Sequence, residues 1–336
     1  MTRVGVIGAG SWGTAIANLM AGKGFTVDLW VREASVYREI RDNRKNTIFL
    51  PDVSLAGGIR PVSAFEAAVG AKELVVMAIP SHVFREVLGS VSRHLGPQTD
   101  VLILTKGIEN DSLMLMSQVA DSLLGEDRMA RFACLTGPSF AREVACCQPT
   151  AVTIACRDSG HARRLQRLFA TDFFRVYVTK DLMGAQVGGA LKNVIAIASG
   201  ASDGLEFGHN ARAALITRGL AEITRLGVRM GAKPETFAGL AGLGDLVLTC
   251  TGALSRNRTV GLKVGRGMRV DEITRDMNMV AEGIKNTSAA YALSLKEKVD
   301  MPITRAVYEI LYEGKSPEST VRELMGRDLK TEITPA

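Results

Sequence analysis

The stretch Val4-Gly-Val-Ile-Gly8-Ala-Gly10-Ser-Trp-Gly13-Thr-Ala decides the fold of this chain, because it joins a strand pattern, a glycine-rich turn and the start of a helix. Its glycines match the G-x-G-x-x-G pattern of dinucleotide-binding βαβ units. Gly8 permits the tight turn, Gly10 lets the backbone approach a pyrophosphate, and Gly13 lets the helix pack against the strand. The helix N-terminus adds unpaired N–H groups and the positive end of its dipole. The sequence therefore predicts that this turn holds the pyrophosphate of a nicotinamide dinucleotide.

The first half of the chain alternates short Val-, Ile- and Leu-rich runs with helical patterns, which indicates parallel βαβ units with helices on both faces of the sheet. The candidate strands are Val4–Ile7, Thr26–Val31, Leu74–Ala78, Val101–Leu104, Phe132–Leu135, Ala151–Ala155 and Arg175–Val178. After Lys180 long helical patterns replace them, namely Leu182–Ser199, Ala211–Met230, Gly283–Lys296 and Ile303–Glu313. We expect an α/β fold with a Rossmann-type doubly wound sheet over residues 1–179 and an all-helical domain over residues 180–336.

Helix ends are predicted at three further places. Ser159 is expected to cap a helix over His161–Phe169, and Ser316-Pro317 to begin another helix. The glycine-rich segment Gly239–Gly244 is expected to break the helical half of the chain.

Composition and length are those of an ordinary globular protein with two domains. The 336 residues are 46% hydrophobic and 23% charged, and the length exceeds what one hydrophobic core usually covers. No apolar run approaches the roughly 18 residues that span a bilayer. Met1–Ile7 enter a strand pattern directly, without the apolar region of a signal peptide. We therefore expect a cytoplasmic protein without stable membrane insertion.

The cysteines and the net charge narrow the possible partners. The absence of a Cys-x-x-Cys pair disfavours a disulfide framework or a metal site and predicts small buried side chains; the five cysteines are Cys134, Cys146, Cys147, Cys156 and Cys250. The net charge of +6 is spread along the chain, and its basic runs lack interleaved aromatic residues. Because diffuse positive charge suits anionic small molecules, we expect no nucleic-acid partner.

The end of the second predicted strand bears on the choice of cofactor. Arg32 occupies the place where an acidic residue normally binds the ribose hydroxyls, and Glu33 follows it. Arginine favours a 2′-phosphate through charge-assisted hydrogen bonds, which predicts NADPH over NADH with some use of both. The alternative is that Arg32 is a solvated surface residue beside a functional Glu33.

Two lysines stand in unusually apolar sequence. Lys106, in Thr105-Lys-Gly107, directly follows the strand Val101–Leu104, at the end where a Rossmann sheet presents its chemistry. Lys192 lies in Gly188–Ala198, a helical pattern that is apolar nearly all round and is therefore predicted to be buried. Burial lowers a lysine pKa from about 10.4 toward the range of a general acid or base. The alternative is a lysine that extends from a helix edge into water.

Three more polar segments are candidates for the substrate site. Gly137-Pro-Ser139 follows the strand Phe132–Leu135. Asp245 is an isolated carboxylate among apolar residues, which could pair with Lys192, bind a substrate hydroxyl or cap a helix. Ser255-Arg256-Asn257 combines a guanidinium fork with two small donors, which suits a phosphate monoester.

Together these segments resemble the bacterial NAD(P)-dependent glycerol-3-phosphate dehydrogenases. The matching blocks follow the family's order along almost the whole chain and begin at Gly8, Thr105, Gly137, Gly189, Asn210, Gly239 and Ser255. Two positions depart from the commoner pattern. Ala281 stands where a second valine is usual, and Phe49 stands where tyrosine is usual.

The resemblance implies reversible hydride transfer between dihydroxyacetone phosphate and sn-glycerol 3-phosphate, which supplies the glycerol backbone for phospholipid synthesis. It also implies a homodimer through the helical domain, and it makes Lys192 the proton acceptor in oxidation and the donor in reduction. The residues that it places around the substrate are Lys106, Gly137, Ser139, Lys192, Asp245, Ser255, Arg256 and Asn257. Those that it places at the cofactor, besides the turn glycines Gly8, Gly10 and Gly13, are Ser11, Trp12, Arg32, Lys106, Ala141, Arg256, Val280 and Glu282.

Two other hypotheses fit parts of the sequence. A ketopantoate or 3-hydroxyacid reductase would combine the same domains with a substrate carboxylate, which Arg256 would bind equally well. A non-catalytic dinucleotide sensor would keep the glycine-rich turn but would have little reason to keep both Lys106 and Lys192.

Overall fold

A computed structural model of the protein describes residues 2–275, 282–329, 331 and 332. Eight strands form one sheet, and in chain order they are β1 (Arg3–Ile7), β2 (Thr26–Trp30), β3 (Ile59–Val62), β4 (Leu74–Met77), β5 (Asp100–Ile103), β6 (Phe132–Thr136), β7 (Thr150–Cys156) and β8 (Phe174–Thr179). Their order across the sheet is β3-β2-β1-β4-β5-β6-β7-β8. The strand order reverses between β1 and β4, and in open α/β sheets ligands bind at such a reversal.

Seventeen α-helices lie within the described ranges. The first eight accompany the sheet and are α1 (Ser11–Gly22), α2 (Ala34–Asn43), α3 (Phe65–Val69), α4 (Phe84–Ser92), α5 (Met116–Leu124), α6 (Glu126–Met129), α7 (Ala141–Ala145) and α8 (Ser159–Phe169). The others follow the last strand and are α9 (Leu182–Gly204), α10 (His209–Arg229), α11 (Pro234–Ala238), α12 (Asp245–Thr251), α13 (Arg256–Gly265), α14 (Val270–Arg275), α15 (Glu282–Lys296), α16 (Pro302–Tyr312) and α17 (Pro317–Met325).

The predicted Rossmann-type sheet followed by helices is confirmed, with two differences in the sheet. β3 was not predicted, because it is a four-residue edge strand that contains Pro61, and proline weakens a strand pattern. β6 and β7 pair antiparallel, whereas every other pair of neighbours is parallel. The segment that joins them contains only the five-residue α7, which is too short a helix for the usual parallel crossover.

Local predictions had mixed outcomes. Helix α17 begins at Pro317 as expected, and the Ser316 hydroxyl caps it by accepting a hydrogen bond from the Ser319 amide at 3.1 Å. The prediction for Ser159 is wrong, because Asp158 caps α8 from one position earlier and accepts from the His161 amide at 2.8 Å. No helix within the described ranges has both the length and the apolar character needed to cross a membrane.

The prediction of five buried cysteines is wrong for two of them. Cys134, Cys156 and Cys250 are buried, whereas Cys146 and Cys147 are exposed. The exposed pair follows α7 in a surface turn where Cys147 has a φ of 56°. Small turn residues of this kind carry no periodicity from which their exposure could be read.

Helix α9 is the centre of the helical part. Nearly all of its 23 residues are buried, and α10, α12, α13 and α15 pack around it. The crossing with α13 is very close, because a Cβ on Gly200 would overlap the carbonyl oxygen of Arg258 and one on Gly261 would overlap that of Ile197. This crossing brings the N-terminus of α13, with its serine, arginine and asparagine, beside the buried face of α9.

Candidate active site

The glycine-rich turn has the geometry of an anion cradle. Gly8 has a φ of +112°, and a Cβ there would overlap the carbonyl oxygen of Ala78 at the end of β4. A Cβ on Gly13 would overlap the carbonyl oxygen of Gly8, so α1 begins tightly against β1. A Cβ on Gly10 would meet nothing within 4 Å. The space over Gly10, at the N-terminus of α1, therefore fits the pyrophosphate of a dinucleotide.

Arg32 and Glu33 pair with each other at the end of β2. The Nη2 atom of Arg32 lies 2.6 Å from Oε1 of Glu33, and the Arg32 side chain is 75% exposed. Glu33 occupies the N-cap position of α2 without a side-chain capping bond. The pair thus places a guanidinium and a carboxylate together at the strand end where a Rossmann fold binds a ribose.

Two lysines share one aspartate at the centre of the site. Lys192 lies on α9, Lys106 follows β5, and Asp245 is the first residue of α12. One carboxylate oxygen of Asp245 accepts a hydrogen bond from Nζ of Lys192, and the other lies 2.7 Å from Nζ of Lys106. The Asp245 side chain is 1% exposed, against 10% for Lys192 and 16% for Lys106. Of the three roles considered for Asp245, the structure shows the ion pair.

A π-helical turn explains how Asp245 reaches this position. Leu240–Gly244 forms the turn, which continues directly into α12, so the expected glycine-rich break is instead a helical distortion. It packs closely against α9, since a Cβ on Gly188 would overlap the carbonyl oxygen of Ala241. Extra-residue turns of this kind often occur at functional sites.

Burial and charge set the protonation behaviour of this group. Burial lowers the pKa of Lys192 to about 8, an effect that the Asp245 carboxylate opposes and that the second ammonium, Lys106, reinforces. Burial alone would raise the pKa of Asp245, but the two ammonium groups hold it below its usual value. Lys192 is therefore poised to give or take a proton near neutral pH, while Asp245 stays ionised.

The loop after β6 closes one side of the site. The carbonyl oxygen of Gly137 accepts from Nζ of Lys106 at 3.4 Å and from the hydroxyl of Ser139 at 2.9 Å. Gly137 has a φ of +126°, which turns its carbonyl toward the lysine at a conformation that side chains rarely adopt. The structure thus brings Lys106, Gly137 and Ser139 together beside Asp245.

The start of α13 reaches Asn193, the residue next to Lys192. Ser255 caps this helix and accepts from the Arg258 amide at 3.2 Å, and Arg256 is exposed as its first residue. The carboxamide of Asn257 donates to Oδ1 of Asn193 at 2.9 Å and accepts from the Gly283 amide at 3.0 Å. Asn257 therefore ties α9, α13 and α15 together one residue away from Lys192.

The predicted cofactor residues other than the turn glycines lie on several elements. Ser11 and Trp12 begin α1, Ala141 begins α7, and Glu282 begins α15. Oε1 of Glu282 accepts from the Ser81 amide at 3.3 Å, and burial raises the pKa of Glu282 to about 7 against the opposing effect of Arg256. Val280 lies outside the described residues.

Two residues that the sequence analysis did not single out complete the site. The Thr136 hydroxyl lies 3.5 Å from the Asp245 oxygen that Lys106 contacts. Asn193 follows Lys192 and orients Asn257. A polar residue inside the apolar pattern of α9 was a usable signal for Asn193, whereas Thr136 at the end of a strand carried none. Within the described ranges, no group of three or more His, Cys, Asp or Glu could hold a metal ion.

A Rossmann-type sheet with a dinucleotide cradle, joined to a helical part that supplies a buried lysine, defines a two-domain NAD(P)-dependent dehydrogenase. Residues 3–162 match the family described as the N-terminus of NAD-dependent glycerol-3-phosphate dehydrogenase, and residues 181–322 match its C-terminus. The chain belongs to this family of oxidoreductases, which act on a CH–OH group.

Relatives that match almost the full length of the chain are named as members of the same family. A Geobacter sulfurreducens protein named as an NAD(P)+ glycerol-3-phosphate dehydrogenase is 54% identical over 330 residues, which cover 98% of each chain. The crystal structure of the Coxiella burnetii glycerol-3-phosphate dehydrogenase has a TM-score of 0.92 at 39% identity, with 97% of this chain and 99% of that chain covered. A ketopantoate reductase from Ralstonia eutropha has a TM-score of 0.62 at 15% identity, covering 95% of this chain and all of its own, and shares the fold alone.

Proposed function

We propose that this chain catalyses the reversible NAD(P)-dependent reduction of dihydroxyacetone phosphate to sn-glycerol 3-phosphate. The observation that carries the proposal is the buried Lys192, paired with Asp245 beside a dinucleotide cradle, in a member of this family. In the cell the product would supply the glycerol backbone of phospholipids. The protein would act in the cytoplasm as a homodimer through its helical domain, with the domains dividing at residues 179 and 180.

Lys192 is the acid–base group of the reaction. The bound nicotinamide supplies the hydride for reduction and accepts it in oxidation. In reduction the Lys192 ammonium gives its proton to the oxygen of the former carbonyl, and in oxidation the neutral amine removes that proton. Asp245 holds the Lys192 side chain in place and stabilises its ammonium form, while Thr136 and Lys106 hold the second carboxylate oxygen.

The phosphate of the substrate orients the reacting carbon. Ser255, Arg256 and Asn257 form the phosphate site at the start of α13, next to Lys192 along the α9–α13 crossing. Binding energy from this remote group fixes the carbonyl for reaction. Lys106, Gly137 and Ser139 line the rest of the substrate site. The cofactor is contacted by Ser11, Trp12, Arg32, Lys106, Ala141, Arg256, Val280 and Glu282.

A substrate comparison tests this function. With NADPH, kcat/KM for dihydroxyacetone phosphate should exceed that for 2-ketopantoate by at least about 10³-fold, because a site built for a group discriminates strongly against a substrate that lacks it. The assay follows NADPH absorbance on one preparation with both substrates. A preference for 2-ketopantoate would assign the α13 site to a carboxylate and overturn the proposal.

Arg32 sets the cofactor preference in favour of NADPH. The Arg32→Ala variant should raise KM for NADPH about tenfold or more while KM for NADH changes less than about threefold, because a charge-assisted bond to the 2′-phosphate is lost. Steady-state kinetics with both cofactors measure the two values, and Arg38→Ala on the next helix is the matched control. Equal effects on NADH and NADPH would show that Arg32 does not contact the 2′-phosphate.

A further inference from the structure

We infer that Asn46, in the loop between α2 and β3, is a positioning residue for cofactor binding that fixes the orientation of one peptide group in the glycine-rich turn. Asn46 follows Gly10 by 36 positions in the sequence and is fully buried. Its role concerns the dinucleotide, so it does not depend on which substrate the enzyme reduces.

The contacts of Asn46 converge on one carbonyl group. Its Nδ2 atom donates to the carbonyl oxygen of Ala9 at 2.9 Å and to the hydroxyl of Thr14 at 2.8 Å. The Thr14 hydroxyl in turn donates to the same Ala9 oxygen at 3.1 Å. Two donors from different segments therefore hold the carbonyl that lies between Gly8 and Gly10.

A second set of contacts keeps Asn46 in place. Its Oδ1 atom accepts from the Phe49 amide at 3.3 Å, and its own carbonyl oxygen accepts from the Leu50 amide at 2.8 Å. The Ser11 hydroxyl donates to the carbonyl oxygen of Phe49 at 2.6 Å. The loop and the turn are thus joined at two points, and each contact with the turn involves a backbone carbonyl or a buried hydroxyl.

The geometry of a peptide group explains why this matters for a phosphate. In a trans peptide the C=O and the N–H point in opposite directions, so fixing the Ala9 oxygen toward Asn46 turns the Gly10 N–H the other way. This peptide joins Ala9 to Gly10, and glycine offers little resistance to backbone rotation on its side of the peptide. Without Asn46 the carbonyl could rotate toward the pyrophosphate and repel it.

The Asn46→Leu variant tests the inference, since leucine has a similar size, is neutral and cannot donate. We expect the Kd for NADPH to rise about 10- to 100-fold, the range for removing a buried donor from the groups that it satisfies, here the Ala9 oxygen and the Thr14 hydroxyl. With saturating NADPH, kcat and the KM for dihydroxyacetone phosphate should stay within about threefold. Energy transfer to bound NADPH from the chain's two tryptophans, Trp12 and Trp30, gives Kd without turnover.

Two further variants keep the test decisive. Thr14→Val removes the second donor to the Ala9 oxygen, should raise Kd by about three- to tenfold, and serves if Asn46→Leu does not fold. Asn43→Leu, at an exposed asparagine in the same region, should leave Kd unchanged. Unchanged Kd in both Asn46→Leu and Thr14→Val, or a lower melting temperature and kcat with unchanged Kd, would overturn the inference.

Discussion

Lys192→Ala is expected to lower kcat for dihydroxyacetone phosphate reduction by about 10²- to 10⁴-fold while the Kd for NADPH stays within about threefold of wild type. Lys192 is the buried ammonium at the centre of the site, and alanine cannot supply a proton to the new alkoxide. Its side chain contacts Asp245, whereas the dinucleotide cradle is built by a different part of the chain. The variant should therefore bind NADPH as the wild type does and lose turnover.

The pH dependence of the wild-type enzyme gives the same assignment a second readout. Reduction needs the Lys192 ammonium, so kcat/KM in that direction should fall as pH rises past about 8, the pKa that burial gives this lysine. Oxidation needs the amine, so kcat/KM in that direction should fall as pH drops below about 8. Lys192→Ala should lose both limbs.

The control for this variant is a lysine outside the site. Lys296→Ala, at an exposed lysine at the end of α15, should retain wild-type kinetics. Turnover that survives in Lys192→Ala would remove this lysine from the chemistry. A wild-type protein that binds NADPH but reduces no substrate would instead favour the non-catalytic sensor.

The parts of this site that sequence predicts are those that local pattern determines. The glycine-rich turn and its helix are contiguous, so spacing alone locates them. The burial of Lys192 follows from the apolar residues on both sides of it along one helix. The edge strand β3 and the antiparallel pairing of β7 have no such local signal, because they depend on which segments meet across the sheet.

Pairings between distant segments had to come from the structure. Lys106 and Asp245 are separated by 139 positions, and the sequence left three roles open for the carboxylate. Asn46 is similar, since an asparagine in a polar loop is ordinarily a turn residue, and only its contact with Ala9 gives it a role at the cofactor site. The sequence around a residue that acts by holding a distant group contains no pattern that predicts this role.

Asp245→Asn is expected to lower kcat for reduction at pH 7 by about 2- to 100-fold and to move the midpoint of its alkaline limb to lower pH. The variant leaves the ammonium groups of Lys106 and Lys192 close together without a carboxylate. The least costly response is loss of a proton from Lys192, whose pKa burial already lowers to about 8. Removing a contacting opposite charge lowers such a pKa by about one to three units, so the protonated fraction of Lys192 at pH 7 falls to about one half or less.

A second substitution in the same background separates charge from shape. If repulsion between the two ammonium groups causes the shift, Lys106→Gln combined with Asp245→Asn should raise the midpoint again, because Lys192 then has no cationic neighbour in direct contact. This rescue concerns the midpoint and not kcat, since Lys106 also lines the proposed substrate site. Asp271→Asn, at an exposed carboxylate of α14, is the matched control and should leave the profile unchanged. An unshifted midpoint in Asp245→Asn would mean that the carboxylate only orients Lys192. A midpoint that stays low in the double variant would assign the shift to desolvation. The Lys106 ammonium would then have no part in setting the pKa of Lys192.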